Sequence, residues 1–306
     1  MTIYVLKRLF LFVPTMLVVM TVSFFMIRSV PGGPFDAERE VPEQVKENLN
    51  KKYGLDKPLG FQYLRYLLNI IRFDFGMSLK YRDMSVNSIM VQALPVSAFL
   101  GISALLIAVF AGTLSGVISA VNKNSIIDYL SMFAAMAGVS LPNFVIGSLL
   151  LLIFSFQLRI FPVAGWGSFS HLVLPAITLS AVFTAYIARM VRGSMLEVLS
   201  ADYIKTARAK GVPENGIVFR HALRTAFLPV LGYLGPAAAA VLTGSVVVEK
   251  IFSIPGMGAH FVNAALNRDY TLVMGTVLVY TFFLIVFNLI MDVFRVWFDP
   301  RLEYGK

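Results

Sequence analysis

"YIKTARAKGVPENGIVFRHALRTAFLP", residues 203–229, gathers five Lys and Arg and one His into a chain that is otherwise mostly apolar. The order of residues says more than the charge does. Ser200 stands where a helix N-cap is expected, Asp202 follows in the first turn, and Arg208 and Lys210 lie at the negative end of the helix dipole. Gly211 fits the left-handed position that ends helices, and Pro213 two residues later blocks continuation. Ala201, Ala207 and Ala209 keep such a helix thin enough to enter a groove of another protein. A second helical stretch, "GIVFRHALRTAF", runs straight into an apolar segment at Leu228 and Pro229. The expectation is therefore a helix, a turn and a helix, rigidly joined to membrane spans on both sides. A solvated basic loop touching anionic headgroups is the plainer alternative.

The rest of the chain supplies those spans. Of 306 residues, 58% are hydrophobic and 14% charged, and the mean hydropathy is +0.76, so a single water-soluble core is excluded. Six runs approach the roughly 20 apolar residues that a spanning helix needs: residues 9–27, 84–122, 129–158, 160–188, 225–248 and 270–291. Arg28 and "VPGGPF" follow the first run in place of a small-residue cleavage site, which marks it as a retained helix. The net charge of +9 raises the question of nucleic acid, but in a membrane chain the location of the cations matters more than their sum. With the N-terminus inside, Lys7, Arg8, Lys123, Arg189, Arg192, Lys205, Arg208, Lys210, Arg220, Arg224, Arg295, Arg301 and Lys306 are cytoplasmic, against Arg159, Lys250 and Arg268 in the short outer loops. That bias places both termini in the cytoplasm and assigns the basic loop to retention there, with no nucleic acid among the partners.

Three regions follow: residues 1–30 as N-terminus and first span, 31–95 as an extracytoplasmic helical segment, and 96–306 as a five-helix core with the basic loop at about 197–225. In the outer segment, Val41, Val45 and Leu49 form a helical stripe. The stretch "FQYLRYLLNIIRF" places Phe61, Leu64, Leu67, Leu68 and Ile71 on one face, as suits an interfacial or partner-packing helix, while "FDFGMSLKYRDMSV" reads as extended or turning. The second span carries small residues at Gly101, Ala108, Gly112, Ser115, Gly116 and Ala120, which permit close helix approach in lipid. In the third, Pro142 falls in mid-helix and should kink it, with Ser140 and Asn143 beside the kink as candidates to line a path.

Several chemistries are excluded. There is no cysteine, and no phosphate-binding loop, HExxH helix or GxSxG elbow occurs. Of the three histidines, His260 comes nearest to acids, Glu249 and Asp269, but without metal-ligand spacing, so solvated loop residues are expected there. Glu249 and Asp292, the acids nearest a bilayer edge, are expected to be hydrated or paired with Lys250 or Arg295.

Several motifs in order carry a family resemblance: "FDFGMSLKYRDMSVNSIMVQALPVSAFLG", "RGSMLEVLSADYIKTARAKG", "RHALRTAFLPVL", "GSVVVEKIFSIPGMGAHFVNAALNRDY" and the ending "DPRLEYG". Nearly the whole chain resembles the ATP-binding-cassette importer permeases for dipeptides, oligopeptides and nickel, and "PGGPFDAERE" and "KYGLDKPL" are most similar to the B-type oligopeptide branch. Residues 203–213 resemble the family's EAA loop, with its first three positions at Lys205, Thr206 and Ala207 and its glycine at Gly211; the acid of the first position is absent.

The resemblance implies an all-α integral membrane protein with six spans, the type I importer fold, sited in a bacterial inner membrane. It implies a related second permease, two cytoplasmic ATPase subunits that bind ATP and Mg, and an extracytoplasmic peptide-binding protein, with no cofactor and no catalysis in this chain. Contact with the ATPase would fall on Tyr203, Lys205, Thr206, Ala207, Arg208, Ala209, Lys210, Gly211 and Pro213. Within the same family nickel or another small solute is the alternative cargo. An ion-coupled secondary transporter is the rival class, but its inverted repeats and mid-span acids are not evident in the sequence.

Overall fold

The computed structural model describes residues 2–30, 34–35, 43–81 and 83–298, with side chains left undescribed at some of these, the stretch from residue 292 included. "DPRLEYG" and most of "PGGPFDAERE" lie outside the described residues, as do the side chains of Asp292 and Arg295. Among the described residues the chain is helical, with one isolated antiparallel bridge between Met77 and Ser85.

The long helices are α1 (Thr2–Ser29), α4 (Val86–Val121), α7 (Phe169–Leu199), α11 (Leu228–Ile251) and α13 (Tyr270–Phe298). Between α1 and α4 lie α2 (Glu43–Tyr53) and α3 (Leu59–Ile71), and between α4 and α7 lie α5 (Ile126–Ser140) and α6 (Asn143–Leu150). The latter continues as a π-helical turn, Leu151–Gln157. After α7 come α8 (Asp202–Ala209), α9 (Glu214–Gly216), a second π-helical turn (Ile217–Ala222) and α10 (Leu223–Ala226), and α12 (Met257–Leu266) joins α11 to α13.

Four helices are long and apolar enough to cross a bilayer, Phe10–Ser29, Val86–Val121, Phe169–Leu199 and Tyr270–Met291, and a bent pair, α5 with α6 and its π-turn, makes a fifth candidate. The apolar stretch of α11, Leu228–Val241, is shorter. The expected kink at Pro142 is a full break: α5 stops at Ser140, Leu141 and Pro142 are extended (ψ 130° and 144°), and the next helix departs at 110°. Proline disfavours the α region for the residue before it, and Leu141 takes the extended form here, whereas Pro95 and Pro175 are accommodated within α4 and α7. Fifteen residues rise only about 22 Å, so neither arm alone crosses a core of about 30 Å. A second difference concerns the run 160–188, which is helical only from Phe169; Arg159, Gly165 and Gly167 have positive φ in the loop before it.

Small residues set the packing. The most extensive helix pair is α4 with α7. A Cβ added at Gly112 would sit 2.8 Å from the Thr184 carbonyl oxygen and the Ile187 Cβ, and one at Gly116 would sit 2.7 Å from the Ala188 carbonyl oxygen. Gly138 likewise brings α5 against the Ala181 carbonyl. Without hydrocarbon exclusion to drive helices together in lipid, such backbone proximity supplies the association. Gly101, Ala108, Gly112, Gly116 and Ala120 are buried as the sequence suggests, while Ser115 is half-buried. The core formed this way runs from Leu100 and Ala104 through Ile187 and Val191 to Met195, Ile204 and Ile217.

The segment between α1 and α4 is tied to the bundle through aromatic and polar contacts. Phe24 of α1 stacks on Tyr66 and meets Tyr63 edge-on, both from α3. Asp269, fully buried at the start of α13, accepts hydrogen bonds from the Ser78 hydroxyl, the Leu79 and Leu272 amides and the Thr271 hydroxyl. Glu249 is also fully buried: Ser97 Oγ donates to its Oε1 (2.6 Å) and the Ala259 amide to its Oε2 (3.2 Å). The expectation of solvated acids is therefore corrected at both positions. Lys250, the expected partner of Glu249, turns outward to Asn263 (2.9 Å). The tight "IPGMG" turn makes the burial possible, because a Cβ on Gly256 would lie 2.5 Å from both Glu249 Cδ and Ser97 Oγ.

Candidate functional site

The basic loop folds as a helical hairpin whose stop is local chemistry. After α8, Lys210 caps the helix and Gly211 takes φ +78°, in the left-handed region that a residue with a Cβ enters at a cost of roughly 1 kcal/mol. The Gly211 amide then donates to the Arg208 carbonyl (2.9 Å) and the Val212 amide to the Ala207 carbonyl (3.2 Å), which is the paired bonding of a Schellman stop. No atom lies within 4 Å of a Cβ built on Gly211, so the requirement for glycine is conformational rather than steric. Pro213, extended at ψ 147°, opens the return helix.

Sequence reasoning placed the N-cap one residue early. Ser200 ends α7, its hydroxyl donating to the Glu197 carbonyl (2.7 Å), and Ala201 precedes α8 without a side-chain cap. Asp202 in the first turn of α8 pairs with Lys205 Nζ at 2.8 Å, both side chains exposed. One side chain fixes α8 to the bundle: Ile204 is fully buried, in the same cluster as Met195 of α7 and Ile217 and Ala222 of the return helix. Tyr203, Lys205, Thr206, Arg208, Ala209, Lys210, Gly211 and Pro213 are exposed and Ala207 is half-buried. All the expected contact residues are thus gathered on one short helix and its turn.

Arg208 was expected to serve the helix dipole, but it reaches across the turn. Its Nε donates to Glu214 Oε1 (2.8 Å) and its Nη2 to Glu214 Oε2 (3.2 Å). The guanidinium holds the Glu214 carboxyl below its ordinary range, and the carboxylate raises Arg208 in turn. A second fork, which sequence reasoning missed, joins α5 to α7. Arg192 of α7 donates Nε to Asp128 Oδ1 and Nη2 to Asp128 Oδ2, both at 2.7 Å, and Asp128 also receives the Ser119 hydroxyl from the end of α4 and the Asn124 amide. Asp128 is only 1% exposed. The available signal was an acid three residues after the capping Ser125, at the edge of an apolar run.

Ser140 and Asn143 flank the break between α5 and α6. Ser140 Oγ bonds back to the Met136 carbonyl (2.9 Å), and Asn143 Oδ1 is buried without a partner. Among the described residues no group of three or more His, Asp or Glu gathers as a metal site.

A family model described as "Binding-protein-dependent transport system inner membrane component" matches residues 112–304. The chain belongs to this family. It is a multi-pass inner-membrane permease subunit, and ATP hydrolysis resides in separate subunits. Along 303 residues it is 45% identical to the oligopeptide transport system permease protein of Haemophilus influenzae, covering 98% of this chain and 99% of the relative. The dipeptide transport system permease protein of Bacillus subtilis is also 45% identical, covering 99% of this chain and 98% of the relative. Two solved structures share the fold at 17% identity: an amino acid ABC transporter, with TM-score 0.53 over 68% of this chain and 94% of that chain, and the inward-facing MetNI methionine ABC transporter, with TM-score 0.56 over 71% and 100%.

Proposed function

We propose that this permease carries oligopeptides or dipeptides, handed over by an extracytoplasmic peptide-binding protein, through alternating access driven by ATP on two cytoplasmic ATPase subunits. The observation that carries the reading is α8: an exposed helix with a defined stop, pinned by Ile204, preceded by α7 and followed through the return helix by α11. Force applied to such an element passes to α7 and α11 and biases the equilibrium between inward-open and outward-open states. Tyr203, Lys205, Thr206, Ala207, Arg208, Ala209, Lys210, Gly211 and Pro213 form the docking surface, and the Arg208–Glu214 pair bridges the helix and its return helix.

Counting α11 as a span completes the six of a type I importer, with both termini cytoplasmic. A homologous second permease closes the path, with Ser140 and Asn143 beside it. Residues 31–95 and 250–270 face the binding protein. Likeness to peptide permeases along the whole chain supports peptide over nickel as cargo.

Replacing Gly211 by Val tests the docking element. Membrane insertion should persist while ATP-dependent uptake falls; unchanged uptake would sink the assignment. Mass spectrometry of what stays bound to the cognate binding protein decides the cargo.

A further inference from the structure

A cavity of about 330 Å³ opens between the end of α1, the α2–α3 pair and the start of α13. Arg28, Lys52 and Arg65 line it, with Asp74 as the one acid in the lining, and Asp74 Oδ1 already accepts the Gly76 amide (2.9 Å). Arg28 is held firmly but incompletely satisfied. Its guanidinium carbon sits 4.3 Å from the centre of the Phe24 ring and 5.8 Å from that of Tyr270, and Nη1 donates to Gln62 Oε1. Its Nε is buried without an acceptor, as is the Tyr66 hydroxyl on the same wall, and no carboxylate among the described residues pairs with the guanidinium. A half-buried cation without a counter-ion is costly, so the arrangement asks for an anion that the described residues do not supply.

Depth in the membrane decides which anion. Arg28 lies at the end of the apolar stretch Phe10–Ser29, where a spanning helix reaches the headgroups. Below it α1 exposes Val22, Phe25 and Met26. On the other side α3 has no buried residue and exposes Phe61, Leu64, Leu68 and Ile71 at spacings of one helical face. Such a helix lies in the interface with its apolar face among acyl chains. Cations thus stand at phosphate depth between two hydrocarbon-compatible surfaces.

We propose that this cavity binds the phosphate of a phospholipid, its chains resting on α1 and α3, in the outer leaflet under the topology proposed above. An arginine fork fits phosphate oxygens in pairs, and the lipid would lock the outer segment to the first span.

The intact transporter, purified with its partner subunits, should be titrated with phosphatidylglycerol and its bound lipids counted by native mass spectrometry. Each cation near a headgroup contributes on the order of 1 kcal/mol, so Arg65→Gln should weaken one binding event by about fivefold, and Arg65→Gln with Lys52→Gln by about 25-fold. Both positions are exposed, which leaves folding intact, and an unchanged thermal midpoint checks that. Diacylglycerol, which lacks the phosphate, should bind the wild type and the double variant alike. Equal phosphatidylglycerol retention by wild type and double variant overturns the proposal, as does an equal loss of diacylglycerol. Displacement of the lipid by millimolar inorganic phosphate would reassign the cavity to a free anion and also overturn it.

Discussion

Arg192 and Asp128 meet through two parallel hydrogen bonds of 2.7 Å, one from Nε and one from Nη2, joining the start of α5 to the C-terminal part of α7. The carboxylate is buried and the arginine side chain 28% exposed, so removing one partner strands a charge beside apolar helices. Asp128→Ala should lower stability by about 3 kcal/mol, whereas Asp128→Leu combined with Arg192→Leu should lose less than the single change. Thermal unfolding of the purified transporter in detergent distinguishes the two. Additive losses would mean that the fork contributes nothing as a pair.

Helix contact through glycine makes a paired prediction possible. Gly116→Leu forces side-chain atoms into the Ala188 carbonyl and Val191 and should cost about 1–3 kcal/mol. Gly193, in α7, has nothing within 4 Å of a Cβ, so Gly193→Ala should stabilise by about 0.5–1 kcal/mol through lower helix entropy cost. Comparing the two midpoints by fluorescence-monitored melting checks that the effect belongs to contact, not to glycine as such.

The clamp between Arg208 and Glu214 has a definite pH signature. Glu214 titrates lower in the folded chain than when unfolded. Its contribution is therefore complete above the ordinary glutamate value of about 4.3 and declines as pH falls through the lower folded value. Wild type and Glu214→Gln should differ by a constant small midpoint shift from pH 8 to about pH 5, and the gap should close only in more acid solution. A gap that closes near neutrality would place the effect on another group.

His260 behaves oppositely in sign of charge. Burial pushes its imidazole below the ordinary value, with Glu249 opposing more weakly, and Nδ1 is buried without a partner. The unfolded chain thus binds the proton more readily, and stability should fall as pH drops below about 6.5. His260→Phe should flatten that dependence between pH 7 and pH 5, read from melting curves. A slope unchanged by the substitution would assign it elsewhere.

The features legible in sequence were those whose cause is local. Gly211 stops its helix because backbone conformation alone demands it, and the small residues of α4 are buried because they recur on one helical face. At Pro142 the sequence marks a disturbance, but whether it kinks or breaks the helix depends on whether neighbours can take the freed carbonyls, and Leu141 adopts the extended form. Glu249 looked hydrated because the hydroxyl that satisfies it belongs to Ser97, 152 positions earlier. Arg208 was read along its own helix, whereas its partner lies across a turn that brings Glu214 back.

The single buried anchor of α8 has a consequence for how such a chain can change over time. Ile204 and the backbone bonds around Gly211 determine where the helix sits, and neither involves the side chains displayed outward at Tyr203, Lys205, Thr206, Ala209 and Lys210. Substitutions on that outward face leave the scaffold's shape unaltered, so the proposed docking surface can drift while the helical bundle goes on folding as before.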